Sequence, residues 1–323
     1  MAQSETINIL CATDDNYAPY CGIMLTSLFE SNNDCRFQVF VFLDGSLSEE
    51  NERRYNSLGL KYGNEIVLMR VDEEKVKGFP LKKDTYVTLA TYYRLMVAEW
   101  LPKEVRKVVY LDGDMVVVGD VRSLWDLNLD GVAVAGVRGP RSSYEDVCKY
   151  LGYSGSLGYF NAGVLVLNLD YWRTHGITEK VIKFVKDHCG QLPMMDQDVL
   201  NGALYNEKMI LPDRYNYMTM CFLRKNWENY AEERRQVCVE EGDKRVVVHY
   251  LGRVKPWDYR HYGGPFYSEW EKYRRKSLWR DCRNKNTFIG YAKHLAKRYV
   301  FPNLLKKQHP EWAVTHETKR FYS

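Results

Sequence analysis

The chain has 323 residues, a net charge of +4, and 27% charged against 45% hydrophobic residues. That balance excludes a disordered chain, and the charge is too small to argue for nucleic-acid binding. No apolar run reaches the roughly 18 residues of a membrane span, and Met1–Ile9 lacks the apolar centre of a secretory signal. The eight cysteines (Cys11, Cys21, Cys35, Cys148, Cys189, Cys221, Cys238 and Cys282) are scattered and form no C-x-x-C pair. They are expected as free thiols in a reducing compartment, with the protein in the cytoplasm.

In chain order, Ile7–Ala12 reads as a buried strand ending in the polar turn Thr13–Asn16. Apolar residues at helical spacing follow from Tyr20 to Glu30. Phe37–Leu43 is a second strand. Ser46–Tyr62 is a charged helix, with Ser46 and Glu49 in capping-box spacing. Glu65–Val71 is a third strand, and this alternation predicts parallel strands with helices on both faces. Thr91–Glu99 reads as helix, Lys107–Leu111 as strand, and Val132–Val137 and Gly163–Leu169 as further strands. Thr178–His188 and Gln197–Tyr205 follow as helices, and Arg245–His249 as the last strand. From Lys272 to Lys307 the chain holds twelve Lys or Arg and one acid, Asp281. The boundary is therefore placed there: a catalytic domain over 1–271 and a basic extension over 272–323.

Four segments carry candidate chemistry. Asp112-Gly113-Asp114 ends an apolar strand, where ligands of open α/β sheets bind. Two carboxylates around a glycine can face one divalent cation, or can form a solvated turn. His249 ends another apolar run, either as a core residue or as a metal ligand. Gly252 and Lys255 after it suit a phosphate-facing loop. Two carboxylates, an imidazole and phosphate oxygens suit Mn²⁺, with Mg²⁺ the alternative. Asp14-Asp15-Asn16-Tyr17 lies at the first strand-to-helix turn. It can read a base edge and stack on it, or Asp15 or Asn16 can cap the helix. Asp196-Gln197-Asp198 opens a helix, where the dipole stabilises acids; these groups can also orient sugar hydroxyls. Arg94 can reach a diphosphate or pair with a surface acid, and Asn161 precedes a strand.

Taken together, the segments resemble the family 8 retaining glycosyltransferases, most closely bacterial lipopolysaccharide or lipooligosaccharide galactosyl- and glucosyltransferases. Seven motifs run in order: A-T-D-D-N-Y at Ala12–Tyr17, Y-Y-R-L at Tyr92–Leu95, Y-L-D-G-D at Tyr110–Asp114, L-W-D at Leu124–Asp126, F-N-A-G-V at Phe160–Val164, D-Q-D-x-L-N-G at Asp196–Gly202 and H-Y-x-G-x-x-K-P-W at His249–Trp257. The resemblance implies a GT-A fold, a mixed sheet flanked by helices. It implies Mn²⁺ held by Asp112, Asp114 and His249 against the diphosphate of UDP-galactose or UDP-glucose. Ala12, Asp14, Asn16 and Tyr17 would bind uridine, and Gly252 and Lys255 the diphosphate. Arg94, Asp112, Gly113, Asn161, Ala162, Asp196 and Gln197 would surround the sugar. Front-face attack by the acceptor hydroxyl is expected, with Gln197 or Asp198, beside Asp196, as the alternative nucleophile or stabiliser.

Val137–Ser156, with Arg138, Arg141, Ser142, Ser143 and Tyr144, departs from the family pattern. It reads as an acceptor-facing segment for an acidic glycan or as an exposed loop. In the basic extension, Phe288, Tyr291, Ala292, Leu295 and Tyr299 fall at helical spacing opposite Lys293, Lys297 and Arg298. That pattern suits a solvated charged face or, as the better fit, an anionic membrane surface carrying a lipid-linked acceptor at the inner face of the cytoplasmic membrane. A self-glucosylating protein of the glycogenin type and a non-catalytic UDP-sugar-binding protein are the alternatives.

Overall fold

The computed structural model describes residues 6–81, 88–188, 192–222, 227–252, 255–258 and 265–282. A seven-stranded sheet forms its centre. The strands are β1 (Ile7–Thr13), β2 (Phe37–Leu43), β3 (Glu65–Arg70), β4 (Lys107–Leu111), β6 (Val134–Arg138), β7 (Phe160–Asn168) and β8 (Lys208–Leu211), in the order β3-β2-β1-β4-β7-β6-β8. A smaller sheet has the order β5-β10-β9, from β5 (Met115–Val117), β9 (Tyr217–Met218) and β10 (Val247–His249). The first three strands and β4 are parallel, as the alternation predicts. β7 runs antiparallel to both β4 and β6, which makes the sheet mixed.

Strand alternation feeds two apolar layers. Ile9, Cys11, Val109 and Leu111 point into a core covered by the helix Ala18–Ser31. Leu10, Val108 and Tyr110 point to the other face, packed by Tyr92, Leu95, Trp172 and Val181. The chain leaves β1 toward β2 and β3 on one side and returns to place β4 on the other. The crevice beyond the carboxyl ends of β1 and β4 is therefore a topological switch point, and Asp14 and Asp112 lie at its two lips.

Local details differ from the sequence reading. The second helix starts at Glu49, and its cap is Ser48, whose hydroxyl accepts from the Asn51 N–H. Ser46 is used elsewhere: its hydroxyl donates to Asp44 and accepts from the Asp15 N–H. Leu89–Met96 is wound as a 3₁₀ helix before a short α-helix at Val97–Trp100. That winding eclipses residues three apart and sets Thr91 and Arg94 on one side, where both meet Asp196.

The helix Tyr267–Lys276 runs through position 271, and the described chain continues to Cys282. The indole of Trp279 packs on Tyr55 at 5.0 Å and donates to Asn51 at 2.7 Å. It fills the space over Gly22, where any added Cβ would lie 2.1 Å from the ring. Truncating a buried tryptophan removes its transfer energy and leaves a cavity. Trp279→Ala is therefore expected to lower unfolding free energy by about 3–5 kcal/mol in urea titration. The amphipathic reading of Phe288–Tyr299 lies outside the described residues. Among the described residues no helix is long and apolar enough to cross a membrane, and Cys11, Cys21, Cys35, Cys148, Cys221 and Cys238 are free thiols.

Candidate active site

β4 delivers Asp112 and Asp114 to the crevice across a turn pressed against the first helix; a Cβ on Gly113 would touch Cys21 at 3.4 Å. β10 brings His249 alongside, because β5, which follows Asp114, pairs antiparallel with β10 in the register Met115↔His249. One ligand atom from each of Asp112, Asp114 and His249 lies within 4.8 Å of the others. The Nε2 of His249 stands 3.2 Å from an Asp114 oxygen. It is buried and has no hydrogen-bond partner. On the ring's other side, Nδ1 contacts Asn216 Oδ1 at 2.9 Å. The Asn216 amide donates to Asn161 at 2.9 Å, so its oxygen is the acceptor that faces the ring. An unprotonated nitrogen aimed at two carboxylates is the donor set a divalent cation completes. The residues therefore fit the ion that the motifs imply.

Lys255 is buried beside them, with Nζ 2.5 Å from the second Asp114 oxygen and 2.9 Å from the Tyr250 carbonyl. Burial alone pushes the Asp114 carboxyl up, but the Lys255 ammonium beside it outweighs this and holds the group below the usual carboxylate range.

Arg94 is buried and central. It pairs with Asp112 at 2.8 Å and with Asp196 at 3.1 Å, donates to the Ala162 carbonyl, and lies 4.1 Å above the Tyr110 ring. Its acids belong to the site and not to the surface. Burial opposes its charge, and Asp112, Tyr110 and Asp196 more than offset this. Burial also raises Asp196 and Asp198. Arg94 and the Thr91 hydroxyl oppose the rise at Asp196, and the Tyr159 hydroxyl and the Met194 N–H oppose it at Asp198.

A bulge parts residues 162–164 from β6. The register between β6 and β7 jumps from Gly136↔Leu165 to Val137↔Asn161. Ala162, Gly163 and Val164 are left without β6 partners, and such bulges re-aim strands beside active sites. Asn161 donates to Gln197 Oε1 at 2.8 Å, and Gln197 donates to Tyr159 at 3.0 Å. The glycine is sterically required: a Cβ on Gly163 would lie 2.4 Å from His249 Cε1. Gly163→Ala is expected to push the imidazole aside and weaken Mn²⁺ binding at least about tenfold, by the measure of orienting contacts at metal sites. Electron paramagnetic resonance of free Mn²⁺ would read this.

The first turn lies near the loop after β10. Trp257 stacks on Tyr20 at 3.8 Å and meets Tyr17 edge-on at 6.0 Å. Gly252 has φ +117, in the region that favours glycine. Asp14 accepts from the Tyr17 N–H at 2.8 Å within the turn, and the helix starts from Tyr17 without a side-chain cap, so neither Asp15 nor Asn16 caps it. Asp15 instead ties the turn to the second helix through the Ser48 N–H and Asn51, both at 2.8 Å. Asn16 is exposed at the tip of the turn. In the departing segment, Arg138 and Arg141 are exposed, while Tyr144 is buried and stacks on Tyr159 at 4.5 Å.

Thr91, Tyr110, Tyr159 and Asn216 are missing from the sequence-derived site. Tyr110 opens one of the motifs, Thr91 and Tyr159 directly precede two others, and Asn216 sits alone in the aromatic run Tyr215–Tyr217.

A family model described as glycosyl transferase family 8 matches residues 8–261. The chain belongs to that family. It is a glycosyltransferase. Similar proteins include general stress protein A of Bacillus subtilis, 29% identical over 287 residues, covering 88% of this chain and 98% of that protein. Another is the lipopolysaccharide 1,3-galactosyltransferase of Salmonella typhimurium, 29% identical over 307 residues, covering 93% and 87%. The crystal structure of galactosyltransferase LgtC in complex with donor and acceptor sugar analogs superposes with a TM-score of 0.71. It is 27% identical and covers 85% of this chain and all of that one. The mixed sheet of this family 8 enzyme agrees with that likeness, and the fold is GT-A.

Proposed function

We propose that this family 8 enzyme transfers galactose or glucose from a UDP-sugar to a carbohydrate acceptor, with retention at the anomeric carbon. The bare, buried Nε2 of His249 facing Asp114 and Asp112 is the observation that carries this reading. When bound there, Mn²⁺ would neutralise the diphosphate and stabilise UDP as it departs. Lys255 supplies a second positive charge on the same side, and Gly252 lets the backbone approach the phosphates. Ala12, Asp14, Asn16 and Tyr17 hold uridine at the lip of β1.

Arg94 orients Asp112 and Asp196 around the sugar, with Gly113, Asn161, Ala162 and Gln197 completing the wall. The buried Asp198 is engaged by Tyr159 and the Met194 N–H, so it suits electrostatic support of a cationic anomeric centre better than free nucleophilic attack. Front-face attack by the acceptor hydroxyl follows from this. The acceptor is read as a surface glycan of the lipopolysaccharide kind, in line with the named activity of the Salmonella relative. The basic composition of 272–307 suits a lipid-linked acceptor at an anionic membrane.

The test is UDP release with Mn²⁺ from UDP-galactose and UDP-glucose in separate reactions. One donor is expected to be hydrolysed slowly, with chelation abolishing the signal and no change in the protein's intact mass. Hexose units added to the protein would instead mark a self-glucosylating enzyme. No release from either donor, with no binding of UDP, would remove the reading.

A further inference from the structure

We infer that Asn216 is a positioning residue that fixes which nitrogen of His249 carries the proton, through a one-way hydrogen-bond chain that ends on Asp198. Five bonds run in the same direction. His249 Nδ1 meets Asn216 Oδ1, an oxygen that can only accept, at 2.9 Å, and Asn216 Nδ2 donates to Asn161 Oδ1 at 2.9 Å. Asn161 Nδ2 donates to Gln197 Oε1 at 2.8 Å, Gln197 Nε2 donates to Tyr159 at 3.0 Å, and the Tyr159 hydroxyl donates to Asp198 at 2.5 Å. All six residues are buried.

An amide can in principle face either way, and an imidazole can carry its proton on either nitrogen. Two backbone groups remove that freedom. The Gly163 N–H donates to Asn161 Oδ1 at 3.0 Å, and the Ala162 N–H donates to Gln197 Oε1 at 3.1 Å. A backbone N–H can only donate, so both side-chain oxygens must face inward. Asn161 then offers an oxygen to Asn216, Asn216 offers an oxygen to His249, and Nδ1 must hold the proton. The bulge that releases residues 162–164 from β6 is what points these N–H groups at the chain. The result is a lone pair on Nε2, on the side of Asp112 and Asp114. Partners of this kind orient a metal-ligating imidazole and raise its basicity.

The consequence for metal binding rests on the proposed Mn²⁺ site; the tautomer itself does not. The experiment uses the full-length chain labelled with ¹⁵N-histidine, in a long-range ¹H–¹⁵N spectrum at about pH 8, above the ordinary imidazole range. His249 is assigned by the signal missing in His249→Gln. Wild-type protein is expected to show the proton on Nδ1. Asn216→Ala is expected to show mixed tautomers and an Mn²⁺ Kd raised about 10–100-fold. Tyr159→Phe is expected to keep the Nδ1 proton, because the two backbone donors still fix the direction. A wild-type proton on Nε2, or an Asn216→Ala protein with unchanged tautomer and unchanged Kd, would overturn the inference. If Asn216→Ala does not fold, the wild-type spectrum still decides. Wild-type protein that binds no Mn²⁺ refutes the metal site and with it the metal consequence, while the spectrum decides the tautomer separately.

Discussion

Asp114→Asn is expected to lower Mn²⁺-dependent UDP release by about 10²–10³-fold or more, the range for removing one preorganised electrostatic group from a catalytic site. The substitution keeps the size of the side chain and removes its charge. That charge now faces His249 Nε2 at 3.2 Å and Lys255 Nζ at 2.5 Å. An amide there coordinates a divalent ion through one neutral oxygen, and Lys255 loses its counter-ion. The assay is run on protein shown to be folded by near-ultraviolet circular dichroism, since a buried lysine without its partner also weakens the fold. Activity within a few-fold of wild type would take Asp114 out of the metal site.

Arg94→Met is expected to be the most destabilising single change in the site. The guanidinium is the charge partner of both Asp112 and Asp196, and it is itself buried on the Tyr110 ring. Removing one member of a buried ionic group leaves the other charges uncompensated, at about 3–5 kcal/mol. Urea unfolding reads that loss directly. The double variant Arg94→Met/Asp196→Asn is expected to recover part of it, because the remaining charge is then the partly accessible Asp112. If Arg94→Met costs less than about 1 kcal/mol, in the range of an exposed ion pair, then Arg94 is not the electrostatic centre described above.

Several parts of this enzyme were legible in the sequence for physical reasons. Asp112 and Asp114 follow a strand whose apolar run Val108–Leu111 marks it as buried, and ligands of open α/β sheets gather beyond such strand ends. His249 ends a second apolar run, and β5 and β10 pair in the register that brings it to Asp114. The first three strands alternate with helices, which forces parallel pairing. The direction of β7 was not legible. Phe160–Leu167 is buried on both faces, so the strand has no polar alternation to show how it sits. The cap of the second helix was misplaced by two residues, because Asp44 and Asp15 claim Ser46 and leave Ser48 to cap. The 3₁₀ winding of Leu89–Met96 brings Thr91 and Arg94 to a distant carboxylate, Asp196, and local spacing does not reveal that contact. Asn216 was missed because a single amide in an aromatic run has no pattern; its role exists only once Asn161 and His249 are folded around it.

The most direct measurement is calorimetric titration of UDP into the full-length chain, once with Mn²⁺ and once with chelator. A metal held by Asp112, Asp114 and His249 against the diphosphate predicts UDP binding that depends on Mn²⁺ and is lost with chelator. UDP binding of equal strength in both conditions would contradict it.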